Sequence, residues 1–392
     1  MNTPVRRHTV LSTVAVSAFA LTAAATQAQQ KPADGPEATY WMSTETVSGM
    51  AAGAPSGVAR RLQLQLGSSR RASGQPTAEH LPPSGLQAGA SLPLVTPSAA
   101  VGGGAGTTAP SFDPSQLKGR MLIYWGCGEL ARPGQPLTVD FATAAAGKGS
   151  PLAGMLSAAV MTPPAPGRQA TYGEWPNKQG GQAPSTGSLV GEHAVRGNYT
   201  PEMRFAVAQA NDFLGPLSPT SARLPSGAVR VSWPALDQAK GYVAGVMGSA
   251  EDGAVVLWSS SEVKMMGAAL PDYLAPGEIA RLVQQKALMG PQTTECTVPA
   301  EVVRATRGAM LQMTAFGPEA NYVAPRGAPA DWAVKLRSKA THMAMLGGAT
   351  PGATARAELH TPPVEPTTPP KAQSSRRGLI LKGLGAALGN IP

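Results

Sequence analysis

Ala228-Val-Arg-Val-Ser-Trp233 decides how this chain reads. In an extended backbone successive side chains point to opposite faces, so Val229, Val231 and Trp233 share one face and Arg230 and Ser232 the other. The same period of two returns in 58–66, where Leu62, Leu64 and Leu66 alternate with Gln63 and Gln65. It returns again in 332–336, where Trp332, Val334 and Leu336 alternate with Ala333 and Lys335. Further strands are expected at 40–47, 121–125, 137–141, 188–195, 203–208, 241–247, 254–259, 296–299 and 310–316. Residues 276–289 differ: Ile279, Leu282, Val283 and Ala287 recur at helical spacing. Pro276 suits a first turn, Glu278 complements the helix dipole, and Gly290-Pro291 is the expected stop.

Composition agrees with strands and long turns. Gly 45 and Pro 38 make about 21% of the 392 residues, against ~12% in average chains, and only 14% are charged. The expected fold is mainly β, with two antiparallel β-sandwich-like modules, one short inserted helix and long disordered segments. The first module spans 40–219 and carries a mobile insertion at 68–116 rich in Ser, Gly and Pro. The second spans 220–346 with the helix at 276–289. Residues 29–39 and the Pro/Thr-rich tail 347–392, with its basic and apolar end, are expected to be disordered.

Residues 1–28 read as a cleavable signal peptide. Arg6, Arg7 and His8 precede an apolar run of about 16 residues, short of the ~20 that span a bilayer, and Thr26-Gln27-Ala28 supplies small residues before a cut. The Arg pair also fits a twin-arginine signal, although Thr9 stands where a hydrophobic residue is expected. The expected location is therefore the periplasm, outer envelope or exterior.

From Gly227 to Tyr242 the chain resembles the opening of a fibronectin type III-like domain: a strand ending in Trp233, then Pro234, a short loop, and Gly241-Tyr242 beginning the next strand. Thr297-Val-Pro299 followed by 310–315 is similar to the family's closing strands. The resemblance covers about a quarter of the chain, 224–326, and the helix at 276–289 departs from it. It implies a two-sheet core filled by Trp233 and Tyr242 and no particular chemistry.

Two cysteines in an exported chain are a candidate disulfide. Bonded, Cys127 and Cys296 would tie the two modules together, worth ~4–5 kcal/mol in the chain-entropy model. The alternative is two buried thiols too far apart to join. A catalytic thiol gains nothing from Gly126, Gly128 and Glu129, none of which lowers a thiol pKa.

Among the histidines, His80 and His360 fall in segments expected to be disordered. His193 and His342 fall in ordered ones without a second ligand at metal spacing, so no metal and no cofactor is indicated. Glu192 and His193 are adjacent in a strand and point apart. Ser261-Glu-Val-Lys264 fits a Ser-x-x-Lys pattern that lacks its partner motifs. Of six tryptophans, Trp175 alone lies in an expected loop and is the candidate ligand contact.

The formal charge is +9, but Lys and Arg are scattered, which argues against nucleic acid. The 376–392 segment fits either an anionic membrane surface or docking on protein. The expectation is a non-catalytic β-sandwich protein that binds or scaffolds an envelope protein or polysaccharide. The alternative is a secreted or periplasmic hydrolase of a cell-wall or extracellular polymer.

Overall fold

A computed structural model describes residues 35–52, 57–97, 119–145, 152, 154–177, 183–267, 270–324 and 331–347, and these are mainly β. The signal segment 1–28, residues 98–116 of the expected insertion, His360 and the 376–392 end lie outside the described residues.

The first strands are β1 (Ala38–Gly49), β2 (Val58–Ser68), β3 (Ala78–Leu81), β4 (Leu92–Pro93), β5 (Arg120–Trp125), β6 (Leu137–Asp140), β7 (Thr171–Trp175), β8 (Gly191–Gly197) and β9 (Thr200–Val207). They are followed by β10 (Thr220–Arg223), β11 (Val229–Ser232), β12 (Gly241–Ser249), β13 (Val255–Ser259), β14 (Glu295–Val298), β15 (Arg307–Val323) and β16 (Trp332–Met345). The helices are α1 (Phe141–Ala145), α2 (Pro276–Gln284) and α3 (Ala300–Ala305).

One nine-stranded sheet runs β6-β5-β13-β12-β15-β16-β1-β2-β7. Two smaller sheets, β4-β3-β8-β9 and β10-β11-β14, accompany it. The alternation of β16 places them. Trp332, Val334 and Leu336 join one core with Tyr40, Leu64, Val195 and Met203. Ala340, on the same face, joins a second core with Val229, Val231, Tyr242 and Trp258. Both small sheets therefore lie on one side of the long sheet, one beyond the other. Each large side chain so buried contributes roughly 1.5–3 kcal/mol.

Where the two cores meet, β1 turns polar on its inner face. Thr46 Oγ1 donates to Leu214 O at 2.6 Å and Ser48 Oγ to Leu217 O at 2.7 Å. The chain crossing between the small sheets has carbonyls that no strand satisfies, and β1 supplies the donors.

Several expectations need correction. The long sheet passes through the boundary at 219, and β5 and β6 of the expected first module pair beside β13 of the second. The pairings are also not all antiparallel: β1 with β16 and β13 with β5 are parallel. The expected insertion at 68–116 contains β3 and β4, and Ala38 and Thr39 already belong to β1 rather than to a disordered lead. Ala78-Glu-His-Leu81 and Leu92-Pro93 show no apolar alternation, so neither carries a period-two signal. Helix α2 stops at Gln284, ahead of Gly290-Pro291. Lys286 takes φ 58, and the amides of Ala287 and Leu288 turn back to Leu282 O.

Candidate functional site: the open face of the long sheet

The face of the long sheet away from both small sheets carries the odd-numbered side chains of β16: Lys335, Arg337, Lys339, Thr341, Met343 and Met345. Described residues within 152–158 and 260–289 cover part of it. Val243 and Phe316 pack there against Ile279 and Leu282 of α2, and Ile123 and Leu257 against Leu152 and Met155. Two features of this face stand apart from that cover.

The first is a ladder of cations and aromatic rings. Arg337 is sandwiched with its guanidinium carbon 4.6 Å from the Trp41 ring centre and 4.4 Å from that of Tyr273. Lys335 caps Trp41 at 5.5 Å and Lys339 caps Tyr273 at 4.9 Å. Arg337 is only 3% exposed, and its Nε donates to Ser43 Oγ at 2.8 Å. Burial pulls its guanidinium below the usual pKa, opposed by Tyr273, Glu319 and Asp272. Burial and then Glu45 push the Tyr273 hydroxyl well up, and it donates to Thr44 O at 3.1 Å.

Beside the ladder lies a cleft of about 490 Å³, lined by Ser43, Glu45, Arg61, Gln63, Asp272 and Lys339 among others. The Lys339 ammonium stands 3.1 Å from Asp272 Oδ1 and 3.4 Å from Glu45 Oε1, holding two carboxylates together. Glu45 also accepts from Thr341 Oγ1 at 2.7 Å and pairs with Arg61 at 3.4 Å. Glu174 lines the same cleft and accepts from the Tyr172 hydroxyl at 2.7 Å.

The second region is an apolar groove of about 120 Å³ lined by Met247, Met265, Met266, Met310 and Met343, with Gly245 in its floor. Met247 and Met310 are direct cross-strand partners, as are Met310 and Met345.

The residues singled out in the sequence fall elsewhere. Cys127 and Cys296 are disulfide-bonded, with their Cα atoms 5.4 Å apart. The bond joins the end of β5 in the long sheet to β14 in the three-stranded one. Trp175 ends strand β7 rather than lying in a loop. At 4% exposure it belongs to the core with Tyr40 and Leu64, where no ligand reaches it. Its flanking Gly, Pro and Asn residues hid the strand.

His80 is wholly buried, not disordered, and stands 3.1 Å from His193, which is also buried. Burial lowers both imidazoles. Glu192 points outward, as adjacent strand residues must. Ser261 is buried and donates to Val263 O at 2.8 Å, which leaves its hydroxyl no nucleophilic task. Nothing local in the sequence marks Trp41 and Tyr273, because the cation that each ring stacks on is distant in the chain. No group of three or more His, Cys, Asp or Glu that suits a metal ion occurs among the described residues. No described helix is long and apolar enough to cross a membrane.

No protein-family model and no curated protein matches the chain.

Proposed function

We propose that the protein is an exported, non-catalytic β-sandwich-like protein that binds or scaffolds in the cell envelope, with a fibronectin type III-like unit within 220–346. The observation that carries this reading is strand order. A three-stranded β10-β11-β14 sheet faces β13-β12-β15-β16, the split that a fibronectin type III-like sandwich makes between its two sheets. Trp233 and Tyr242 meet between them with ring centres 5.7 Å apart. Such units serve as spacers and binding platforms. The cleft beside the ladder suits a polysaccharide segment, because Ser43, Arg61, Gln63 and Asp272 offer hydrogen-bonding groups beside the apolar surface of Pro176 and Tyr273.

One observation favours a second reading as a hydrolase. Glu45 and Asp272 both reach Lys339, so their nearest oxygens lie no more than roughly 6.5 Å apart, a bound that admits the ~5–5.5 Å separation of retaining glycoside hydrolysis. Co-sedimentation of the mature protein with insoluble peptidoglycan and other envelope polysaccharides tests binding, and a reducing-sugar assay tests catalysis. The binding reading expects retention that weakens in Arg61→Ala, with no sugar released. Release abolished by Glu45→Gln would replace it with the hydrolase. Fractionation of cells expressing the whole chain, with the mass of the product, tests export and cleavage after Ala28.

A further inference from the structure

Methionine is a poor choice for an exposed strand position, where β-branched and aromatic residues pack better. Yet Leu257, Met247, Met310 and Met345 form one continuous cross-strand row over β13, β12, β15 and β16. All four point away from the cores, since their neighbours Val246, Leu311 and Trp258 point in. Met247 is 56% exposed and Met345 41%, so this sulfur-bearing row meets solvent. Met343, one pleat along β16, is diagonal to Met310 and lines the groove, with Met265 and Met266 contributed by the chain that follows β13.

We propose that this row is a binding site for a soft monovalent metal ion of the copper(I) class, held by the thioethers of Met247, Met310 and one or both of Met343 and Met345. Directly opposed residues have Cβ atoms ~4.5–5.5 Å apart, and three soft torsions let each thioether swing toward its neighbour. Their sulfurs can thus converge on one point above the sheet without moving the backbone. Neutral, polarisable thioethers select copper(I) over hard or borderline ions such as Mg²⁺, Ca²⁺ or Zn²⁺, which want oxygen or imidazole. Gly245, in the next row, carries no side chain, so part of the groove floor beside the sulfurs is bare backbone. The site holds no titratable ligand, so capture releases no proton and stays effective in mildly acidic surroundings. This inference does not rest on the envelope-binding reading above: it requires only the folded sheet.

Silver(I) reports on the site without a reductant, which keeps the Cys127–Cys296 bond closed and removes thiols as competing ligands. Titrated into the full chain and followed by native mass spectrometry and calorimetry, it should load one ion per chain. The ε-methyl signals of Met247, Met310 and Met343 or Met345 should shift, while those of the buried Met42, Met203 and Met313 stay fixed. Met247→Leu and Met310→Leu, which keep volume and apolarity, should each weaken binding at least ~10-fold with unchanged circular dichroism. Copper(I) supplied with ascorbate should compete with silver(I), and Zn²⁺ should not. Absence of uptake at micromolar silver(I) overturns the proposal. So does uptake that neither variant weakens, or methyl shifts confined to other methionines.

Discussion

The Tyr40 hydroxyl lies 2.9 Å from His80 Nδ1, and the direction of that bond is set from the far end of the network. Leu189 O can only accept, so His193 Nε2, 2.6 Å away, must donate. His193 Nδ1 then accepts from His80 Nε2, and His80 Nδ1 accepts from Tyr40. This arrangement, with Tyr40 as the donor, is the one that two neutral imidazoles make. Burial, and for His80 the neighbouring His193, holds both below the ordinary pKa, with Asp212 and the Leu189 carbonyl opposing at His193. His342 is lowered by burial as well. Unfolded histidines titrate near 6.5, so below that pH the unfolded chain binds protons that the native state refuses. Stability should therefore be insensitive to these groups at pH 7.5–8 and fall progressively as pH drops through about 6.5. Melting temperatures from pH 8 to pH 5 check this, and a flat profile contradicts it.

Tyr40→Phe removes the donor and leaves His80 Nδ1 buried without a partner. The expected loss is about 1–3 kcal/mol in denaturant unfolding at pH 7.5. A smaller loss would mean that His80 has rotated to another donor.

Cys127 and Cys296 are 169 residues apart in sequence. In the chain-entropy model, opening a loop of that size costs about 5 kcal/mol. Reduction, or Cys127→Ser with Cys296→Ser, should lower the unfolding midpoint by a correspondingly large amount. Reduced and oxidised protein unfolding at the same denaturant concentration would rule out a stabilising bridge.

Trp175 fills core beside Tyr40 and Leu64. Trp175→Ala should cost about 3–5 kcal/mol by leaving a cavity. Retention on any ligand that the folded protein binds should be unchanged under conditions where the variant stays native.

Arg337→Lys keeps the charge but discards the plane that fits between Trp41 and Tyr273. The expected cost is about 1–2 kcal/mol, with a larger change in near-ultraviolet circular dichroism than in the far-ultraviolet signal. Equal stability of Arg337→Lys and the parent would show that the stacking contributes little.

What was legible follows the physics of alternation. Leu62, Leu64 and Leu66 are buried together, as are Val229, Val231 and Trp233, because one face of each strand meets a core. Strand β16 was legible only as far as Leu336. Beyond it, Arg337 and Lys339 interrupt the apolar alternation, although Trp41 and Tyr273 shelter them. His80 was read as disordered because its burial depends on Tyr40 and His193, distant in sequence. The methionine groove was invisible for a like reason: Met247, Met310 and Met345 become neighbours only through strand register.

The parallel pairing of β1 with β16 begins with Ala38 beside Trp332, 294 residues later. At ~5–20 residues per second, a ribosome that has just made β1 needs about 15–60 s to reach its partner. Throughout that interval one edge of β1 stands open to any passing strand. The centre of the sheet is thus the last part of the molecule to close, and it closes only after nearly all the chain has been synthesised. A chain halted before residue 332 retains an unpaired edge at its middle, an invitation to aggregate that the finished protein has withdrawn.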